Sequence, residues 1–309
     1  MTIAAQPYAQ VAAFGLSTGA VLSLLALGLV LIYRTTGVLN FAHWAIGLLG
    51  LVVYTVVTGA GVPTPLGVAI ALPVSVVAGV AAYRLVFRGA SAANQVVMIL
   101  IAIGVAQFYS SLGGIVLGFE QFTSLRGWIP IYEWTIGGVA VRSSEVVTFA
   151  AAIGIAFGFL VWFRRSRTGR ALRAVAQNRE AAELAGIDAI RYSSIAWGIS
   201  SALAALALLL VFPHTAGERG GLISTADLTP LGTLLIPAFG AALVGGLVHL
   251  PMALLGGFVF GIAQELLVLA PQPWSSLRSV IAALLIVVLL MIRTERFFAT
   301  RQELEALEG

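Results

Sequence analysis

The sequence contains no cysteine and no lysine, since all 17 of its basic residues are arginine. Without cysteine, the chain can form neither disulfides nor thiolate metal sites. Without lysine, it cannot form a P-loop, because the GxxxxGK[ST] motif needs that residue to bind ATP phosphates. If the protein depends on ATP, a separate chain must therefore hydrolyse it.

Charged residues are also scarce, at 10% of the chain, whereas a soluble domain usually carries about 25%. Hydrophobic residues make up 60%, and the mean hydropathy is +1.01. The apolar runs are continuous rather than alternating, which favours membrane-spanning helices over a β-barrel. We predict an all-α polytopic membrane protein in which residues 1–309 form a single transmembrane domain.

Nine apolar segments approach the length of about 20 helical residues that a bilayer crossing needs. They are 11–33, 38–58, 65–87, 95–117, 146–163, 193–212, 231–248, 251–270 and 275–292. Segments 231–248 and 251–270 are rich in glycine and proline and are joined by only His249-Leu250, so one of them is alternatively a broken or re-entrant helix. A full re-entrant hairpin at 231–248 would place the Arg-rich tail outside, which counts against that version. We therefore expect eight or nine transmembrane helices.

The arginines are distributed unevenly between the two sides that these spans define. If the Arg-rich segment 164–192 is cytoplasmic, 13 arginines lie inside and four outside. This asymmetry fits the positive-inside rule. It predicts an extracytoplasmic N-terminus and a cytoplasmic C-terminus.

Within this cytoplasmic segment, residues 170–185 are predicted to form a helix because they are mostly strong helix formers. Thr168 is expected to cap its start, and Gly186 its end. Arg179 and Glu183 are spaced to form an i,i+4 ion pair. The helix either lies on the anionic inner leaflet or docks onto a partner protein.

Three stretches of this sequence resemble one family. Glu180-Ala181-Ala182, followed after three residues by Gly186, resembles the EAA-x-x-x-G motif of ABC importer permeases. The surrounding string, GRALRAVAQNREAAELAGID, is similar to the same loop of branched-chain amino acid permeases. The Asn-Phe-Ala-His core at 40–43 resembles that family's first block, and residues 234–267 resemble its glycine-rich late block. Arg34 and Trp44 depart from the family, which commonly has glycine at both positions.

The resemblance implies a permease subunit of an importer in the inner membrane of a bacterium, working by alternating access. It implies a second permease chain or a second copy, two cytoplasmic ATPases that carry ATP and magnesium, and an extracytoplasmic binding protein. No cofactor, catalysis or nucleic-acid partner is expected of this chain. The substrate would be a branched-chain amino acid or a related amide, urea, aromatic or carboxylic acid. The implied ATPase-coupling residues are Arg173, Arg179, Glu180, Ala181, Ala182 and Gly186.

Polar and small residues inside the spans are candidates for the substrate pathway. They are Asn40, His43, Gln107, Gly245, Gly246, Gly256, Gly257, Gly261 and Glu265. Each has a structural alternative. Asn40 would cap a helix that starts at Phe41, His43 and Glu265 would form interhelical hydrogen bonds, and the glycines would allow close helix packing. The three histidines lie at different depths, so we expect no metal site.

Two other functions compete with the permease hypothesis. An ion-coupled secondary transporter would need intramembrane charges or inverted repeats, and Glu265 is the only acidic residue within a predicted span. An intramembrane hydrolase could use Ser200 or Ser201, but we expect no histidine and acid at their depth.

Overall fold

The computed structural model describes residues 6–90, 94–117, 123–124, 132–136, 139–218, 222–223, 233–268, 271, 280, 282–288 and 291. Its helices are α1 Gln6–Thr36, α2 His43–Gly59, α3 Thr64–Ala82, α4 Gln95–Leu117, α5 Ser143–Arg165, α6 Arg167–Gln177, α7 Arg179–Leu184, α8 Ala189–Glu218, α9 Leu235–Val244 and α10 Leu250–Val268. A π-helical turn, Tyr83–Phe87, continues α3, and residues 282–288 are also helical.

The strands are short and lie between helices. They are β1 Thr123–Ser124, β2 Glu133–Ile136, β3 Val139–Arg142 and β4 Leu222–Ile223. β2 and β3 form an antiparallel hairpin that leads directly into α5, and β1 pairs antiparallel with β4. The strands connect the helices and leave the architecture helical.

Six of the described helices are long and apolar enough to span a membrane, whereas α2 and α9 are shorter. The predicted all-α polytopic fold is therefore confirmed. The ninth predicted span, 275–292, lies mainly outside the described residues.

Helix α1 lies at the centre of the bundle and packs against α5, α8, α9 and α10. In its most apolar stretch, 89% of the residues are buried, compared with 28% in that of α5. A helix that is apolar on all sides can be buried all round, which explains why Ala20–Ile32 contains no charged residue. We call the end of the bundle that holds Thr36, α6 and α7 the α6 end.

Helices α1 and α10 run antiparallel in close contact. Gly15 lies against Ile262 near one end, and Ser23 Oγ donates a hydrogen bond to the Leu254 carbonyl 2.7 Å away further along. From Ser23, α1 continues to its last residue for about 20 Å, but α10 extends only about 6 Å past Leu254. Helix α10 therefore begins about 14 Å short of the α6 end.

Helix α9 does not cross the membrane. Its ten residues extend about 15 Å, half of the roughly 30 Å hydrocarbon core. Gly256 of α10 packs against Ala241, and Gly245 packs against Ala253, so α9 and α10 form an antiparallel hairpin. Leu247 is buried in its turn with a left-handed φ of 57°.

The prediction of 231–248 as a full span is therefore wrong, and the re-entrant alternative describes it better. Glycines at the turn end the helix halfway and allow the chain to reverse inside the protein. Helix α9 enters the bundle and α10 leaves it at the same end. Two full spans would also return the chain to that end, so the predicted side of the C-terminus is unchanged.

A cysteine in the hairpin turn provides a direct test of its depth, because the chain has no native cysteine. Val248 is 44% exposed, and we expect Val248→Cys to resist a membrane-impermeant maleimide applied from the α6 end. Leu184→Cys in α7 is expected to react fully from that side. Equal labelling of both positions would contradict a turn that stops about 14 Å short.

Candidate functional site

The connection between α1 and α2 returns into the bundle without forming helix. Residues 37–42 are non-helical, and Asn40 Oδ1 accepts a hydrogen bond from the Ala42 N–H at 3.0 Å. This side-chain turn delays the helix to His43, so the predicted cap of a helix starting at Phe41 is wrong. Asn40 is 1% exposed, and its Nδ2 has no hydrogen-bond partner among the described residues.

His43 joins three helices. It is fully buried as the first residue of α2, and its Nδ1 lies 3.2 Å from Ser200 Oγ on α8. Its ring also lies against Gly28 of α1, where a β-carbon would come within 2.6 Å of Cε1. Because Gly28 lies about 12 Å from the end of α1, this contact is deep in the bundle. The geometry favours a structural tie between helices.

We expected no histidine and acid at the depth of Ser200, and the Ser200–His43 contact shows that the histidine part of this expectation is wrong. That expectation was wrong because residues 37–42 return into the bundle instead of beginning a helix at its edge. The pair does not form a hydrolase site, since both side chains are 0% exposed. Among the described residues, no carboxylate bonds to His43, and Ser201 Oγ donates to the Trp197 carbonyl.

A double-mutant cycle tests the structural role of His43. Gly28→Ala is expected to destabilise the protein by about 2 kcal/mol, because the added methyl group overlaps the imidazole. His43→Ala is expected to cost a similar amount through the cavity that it leaves. In the double variant the new methyl enters that cavity, so the loss in unfolding free energy should be at least about 1 kcal/mol below the sum. Strict additivity would contradict the contact.

The glycines of the late block are helix-packing positions. A β-carbon on Gly257 would lie 2.5 Å from the Ser23 nitrogen, and one on Gly261 would lie 2.7 Å from the Gly15 carbonyl oxygen. Gly256 and Gly245 make similar contacts within the α9–α10 hairpin, and Gly246 adopts a left-handed φ of 63° in its turn. Close backbone approach thus accounts for this stretch.

The remaining pathway candidates lie apart from His43. Thr18 Oγ1 donates a hydrogen bond to Glu265 Oε1 at 3.2 Å, near the end opposite α6. Gln107 lies on the exposed face of α4, 3.5 Å from Ser111. The predicted pathway residues therefore do not converge on one site.

Sequence reasoning missed Glu145, a second acid within a spanning helix. It lies in the first turn of α5 with 3% exposure, and its Oε2 accepts a weak hydrogen bond from the Arg142 N–H at 3.4 Å. The β2–β3 hairpin ends at Arg142 and α5 begins at Ser143, so the helix starts three residues earlier than its hydropathy indicates.

The predicted single helix 170–185 consists of two helices. Ser166 Oγ accepts a hydrogen bond from the Gly169 N–H at 2.8 Å and caps α6. Asn178 Oδ1 accepts one from the Ala181 N–H at 2.9 Å and caps α7. The predicted cap at Thr168 is therefore wrong, and Asn178 breaks the helix because its backbone is extended, with φ −154° and ψ 110°.

Helix α6 packs against the bundle and contacts α1, α5 and α8. Leu172 and Val175 are buried on its inner face. Arg173 donates hydrogen bonds to the carbonyls of Phe163 and Arg164 at the end of α5. These bonds satisfy carbonyls that the end of a helix leaves without partners.

Helix α7 presents most of its side chains to solvent. Leu184 is 91% exposed, whereas Ala182 is buried against the bundle. Glu180 and Ala181 are exposed. A predicted ion pair is confirmed, with Arg179 Nε 3.2 Å from Glu183 Oε1, although pairs this exposed stabilise little.

The end of α7 also agrees with prediction. Gly186 has a left-handed φ of 80°, its N–H bonds to the Glu183 carbonyl, and the Ile187 N–H bonds to the Ala182 carbonyl. This pair of bonds is the Schellman motif. The EAA-x-x-x-G spacing therefore encodes a short capped helix on an anchored base.

The model of the family described as branched-chain amino acid transport system / permease component matches residues 11–290. The chain belongs to this permease family. The resemblance of the three sequence blocks is thus confirmed, and the protein is a multi-pass ABC-type permease.

Individual relatives agree with this membership. The permease is 28% identical over 272 residues to the high-affinity branched-chain amino acid transport system permease protein BraD of Pseudomonas aeruginosa, covering 83% of this chain and 85% of BraD. It is 30% identical to a probable branched-chain amino acid transport permease protein, LivH, of Methanocaldococcus jannaschii, covering 80% and 76%. The ribose import permease protein RbsC of Escherichia coli is 25% identical, covering 77% and 72%.

A solved structure has the same fold. PsaBC from Streptococcus pneumoniae superposes with a TM-score of 0.51 at 15% identity, covering 90% of each chain. At this identity, the likeness concerns the fold alone.

Proposed function

We propose that this permease is the membrane-spanning subunit of an ATP-driven, binding-protein-dependent importer that works by alternating access. The observation that carries the proposal is an exposed, capped helix, α7, on a second helix, α6, that is anchored to three spanning helices. A partner that moves α7 can thus move α1, α5 and α8 through α6. ATP and magnesium would reside on the partner, because this chain has no P-loop lysine.

The proposed docking face is the exposed part of α7. Leu184 is 91% exposed, and its burial in an apolar pocket of a partner protein would contribute about 1.5–3 kcal/mol. Arg179, Glu180, Ala181 and Gly186 surround it and would complete the contact. Arg173 and Ala182 already have partners within the chain, so we place them in the base that holds the docking face.

We propose that two permease chains, identical or related, assemble with two ATPases and receive substrate from an extracytoplasmic binding protein. The α6 end would be cytoplasmic in the inner membrane of a bacterium. The high arginine content of 164–192 supports this orientation.

We propose a branched-chain amino acid or a related small polar compound as the substrate. The names of two relatives support this class. RbsC is named for ribose, so similarity in sequence to these permeases does not by itself decide the substrate. Direct binding of candidate amino acids to the cognate binding protein would decide the substrate.

The ion-coupled transporter remains the rival hypothesis, and partner association separates the two. We expect an ATPase subunit to co-purify with the permease from native membranes. Full transport activity of a preparation without any ATPase would overturn the proposal.

A further inference from the structure

Two arginines meet at one aromatic ring where α6 joins the bundle. The guanidinium carbon of Arg34, in the last turn of α1, lies 5.8 Å from the centre of the Phe163 ring. That of Arg173, on α6, lies 5.6 Å from the same centre. Both distances are typical of cation–π contacts. The cluster Arg34–Phe163–Arg173 therefore holds two like charges at the junction of three helices.

No acidic group of the protein neutralises this cluster in the part of the chain that the structure describes. The ion pair found there joins Arg179 to Glu183, and neither arginine of the cluster takes part in one. The sequence has no acid between Glu145 and Glu180, although it has six arginines from 164 to 179. Two partly buried guanidiniums without a counter-charge are unfavourable, so an external anion would stabilise them.

Arg34 is the member with free hydrogen-bonding capacity. Arg173 already donates to the carbonyls of Phe163 and Arg164. Among the described residues, none accepts a hydrogen bond from Arg34, whose guanidinium carries five N–H donors. Such a group can bind two oxygens of one phosphate.

The position of the cluster selects a lipid as the source of this phosphate. Arg34 and Phe163 lie in the last turns of α1 and α5, two helices long and apolar enough to span a membrane, so a bilayer that they cross ends near these residues. Arg164 and Arg165 are exposed beside them, and Trp162 is 37% exposed. Tryptophan favours the membrane interface, and clustered arginines on its cytoplasmic side attract anionic headgroups.

We propose that the Arg34–Phe163–Arg173 cluster, with Arg164 and Arg165, binds the phosphate headgroup of an anionic phospholipid. The negative charge of the headgroup offsets the repulsion between the two cluster arginines and ties α6 to the ends of α1 and α5. The inference rests on the proposed function for the cytoplasmic orientation of the α6 end. Because the binding is measured without transport, the two proposals can fail separately.

The test is lipid retention by the purified full-length permease, in the assembly in which it leaves the membrane. Native mass spectrometry would compare phosphatidylglycerol with phosphatidylcholine as the added lipid. We expect selective retention of phosphatidylglycerol. Arg34→Gln should weaken it by about fivefold, the effect of one interfacial arginine. Arg191→Gln removes an exposed arginine near the same end and should leave retention unchanged.

Phe163→Leu provides a second variant that keeps an apolar side chain but removes the ring. It should weaken retention of phosphatidylglycerol, and a thermal melt of each variant confirms that the comparison concerns folded protein. Unchanged retention in both Arg34→Gln and Phe163→Leu would overturn the proposal, as would an equal loss in Arg191→Gln. Displacement of the lipid by millimolar glycerol 3-phosphate would assign the cluster to a soluble phosphate instead and also overturn it.

Discussion

Gly257→Val is expected to destabilise the folded permease strongly. A β-carbon at this position would lie 2.5 Å from the nitrogen and 2.7 Å from Cα of Ser23. Both atoms belong to the backbone of α1, so no side-chain movement can relieve the overlap and the two helices must separate. Overpacking of a core usually costs about 1–3 kcal/mol, and we expect at least the upper value here.

Gly154→Val is the matched control for this change. Gly154 also lies in a spanning helix, α5, but no atom lies within 4 Å of the position that its β-carbon would take. Thermal unfolding in detergent should give a much lower melting temperature for Gly257→Val and one near that of the wild type for Gly154→Val. Similar melting temperatures for both would show that α1 and α10 do not pack at this distance.

Leu184→Asp is expected to abolish coupling to the ATPases and therefore uptake, while leaving the fold intact. The side chain is 91% exposed, so the free permease loses no packing. In the docked complex, the carboxylate would be buried without a partner in the pocket that leucine fills. Losing the burial of a leucine side chain costs about 2 kcal/mol, which corresponds to about a 30-fold loss of affinity.

Gln177→Asp introduces the same charge at an exposed position at the end of α6 and is the control. Co-purification of the ATPases and ATP-driven uptake would be measured for both variants. We expect Leu184→Asp to lose both co-purification and uptake, and Gln177→Asp to keep both near the wild-type level. Wild-type ATPase binding by Leu184→Asp would remove α7 from the docking surface. Glu180→Lys, which reverses a charge on the same face, should weaken coupling in the same direction.

Composition and hydropathy predicted most of the helical fold, because a bilayer requires long apolar helices wherever the chain crosses it. They could not predict that α9 ends after ten residues. Segment 231–248 is apolar throughout, and only its packing against α10 and α1 allows a turn inside the bundle. Its glycines indicated a break but not the depth of the turn.

In the candidate site, the sequence predicted local features but not contacts between distant helices. Local signals were sufficient for Gly186 and for the Arg179–Glu183 pair, since these depend on neighbours within one turn. The Asn178 cap also has a local signal, an asparagine before a helix-forming run, but the good formers on both sides concealed it. His43 and Ser200 lie on different helices and are 157 residues apart in the sequence, so no periodicity in the sequence predicts their contact.

ATP-driven uptake is the most direct test of the central claim, that this permease transports substrate through coupling to ATPases. The permease would be reconstituted in liposomes with its partner permease, ATPases and loaded binding protein, with ATP supplied at the α6 end. We expect uptake of a branched-chain amino acid that requires ATP and is unaffected when proton and sodium gradients are collapsed. Uptake by this chain alone, driven by an ion gradient without ATP, would contradict it.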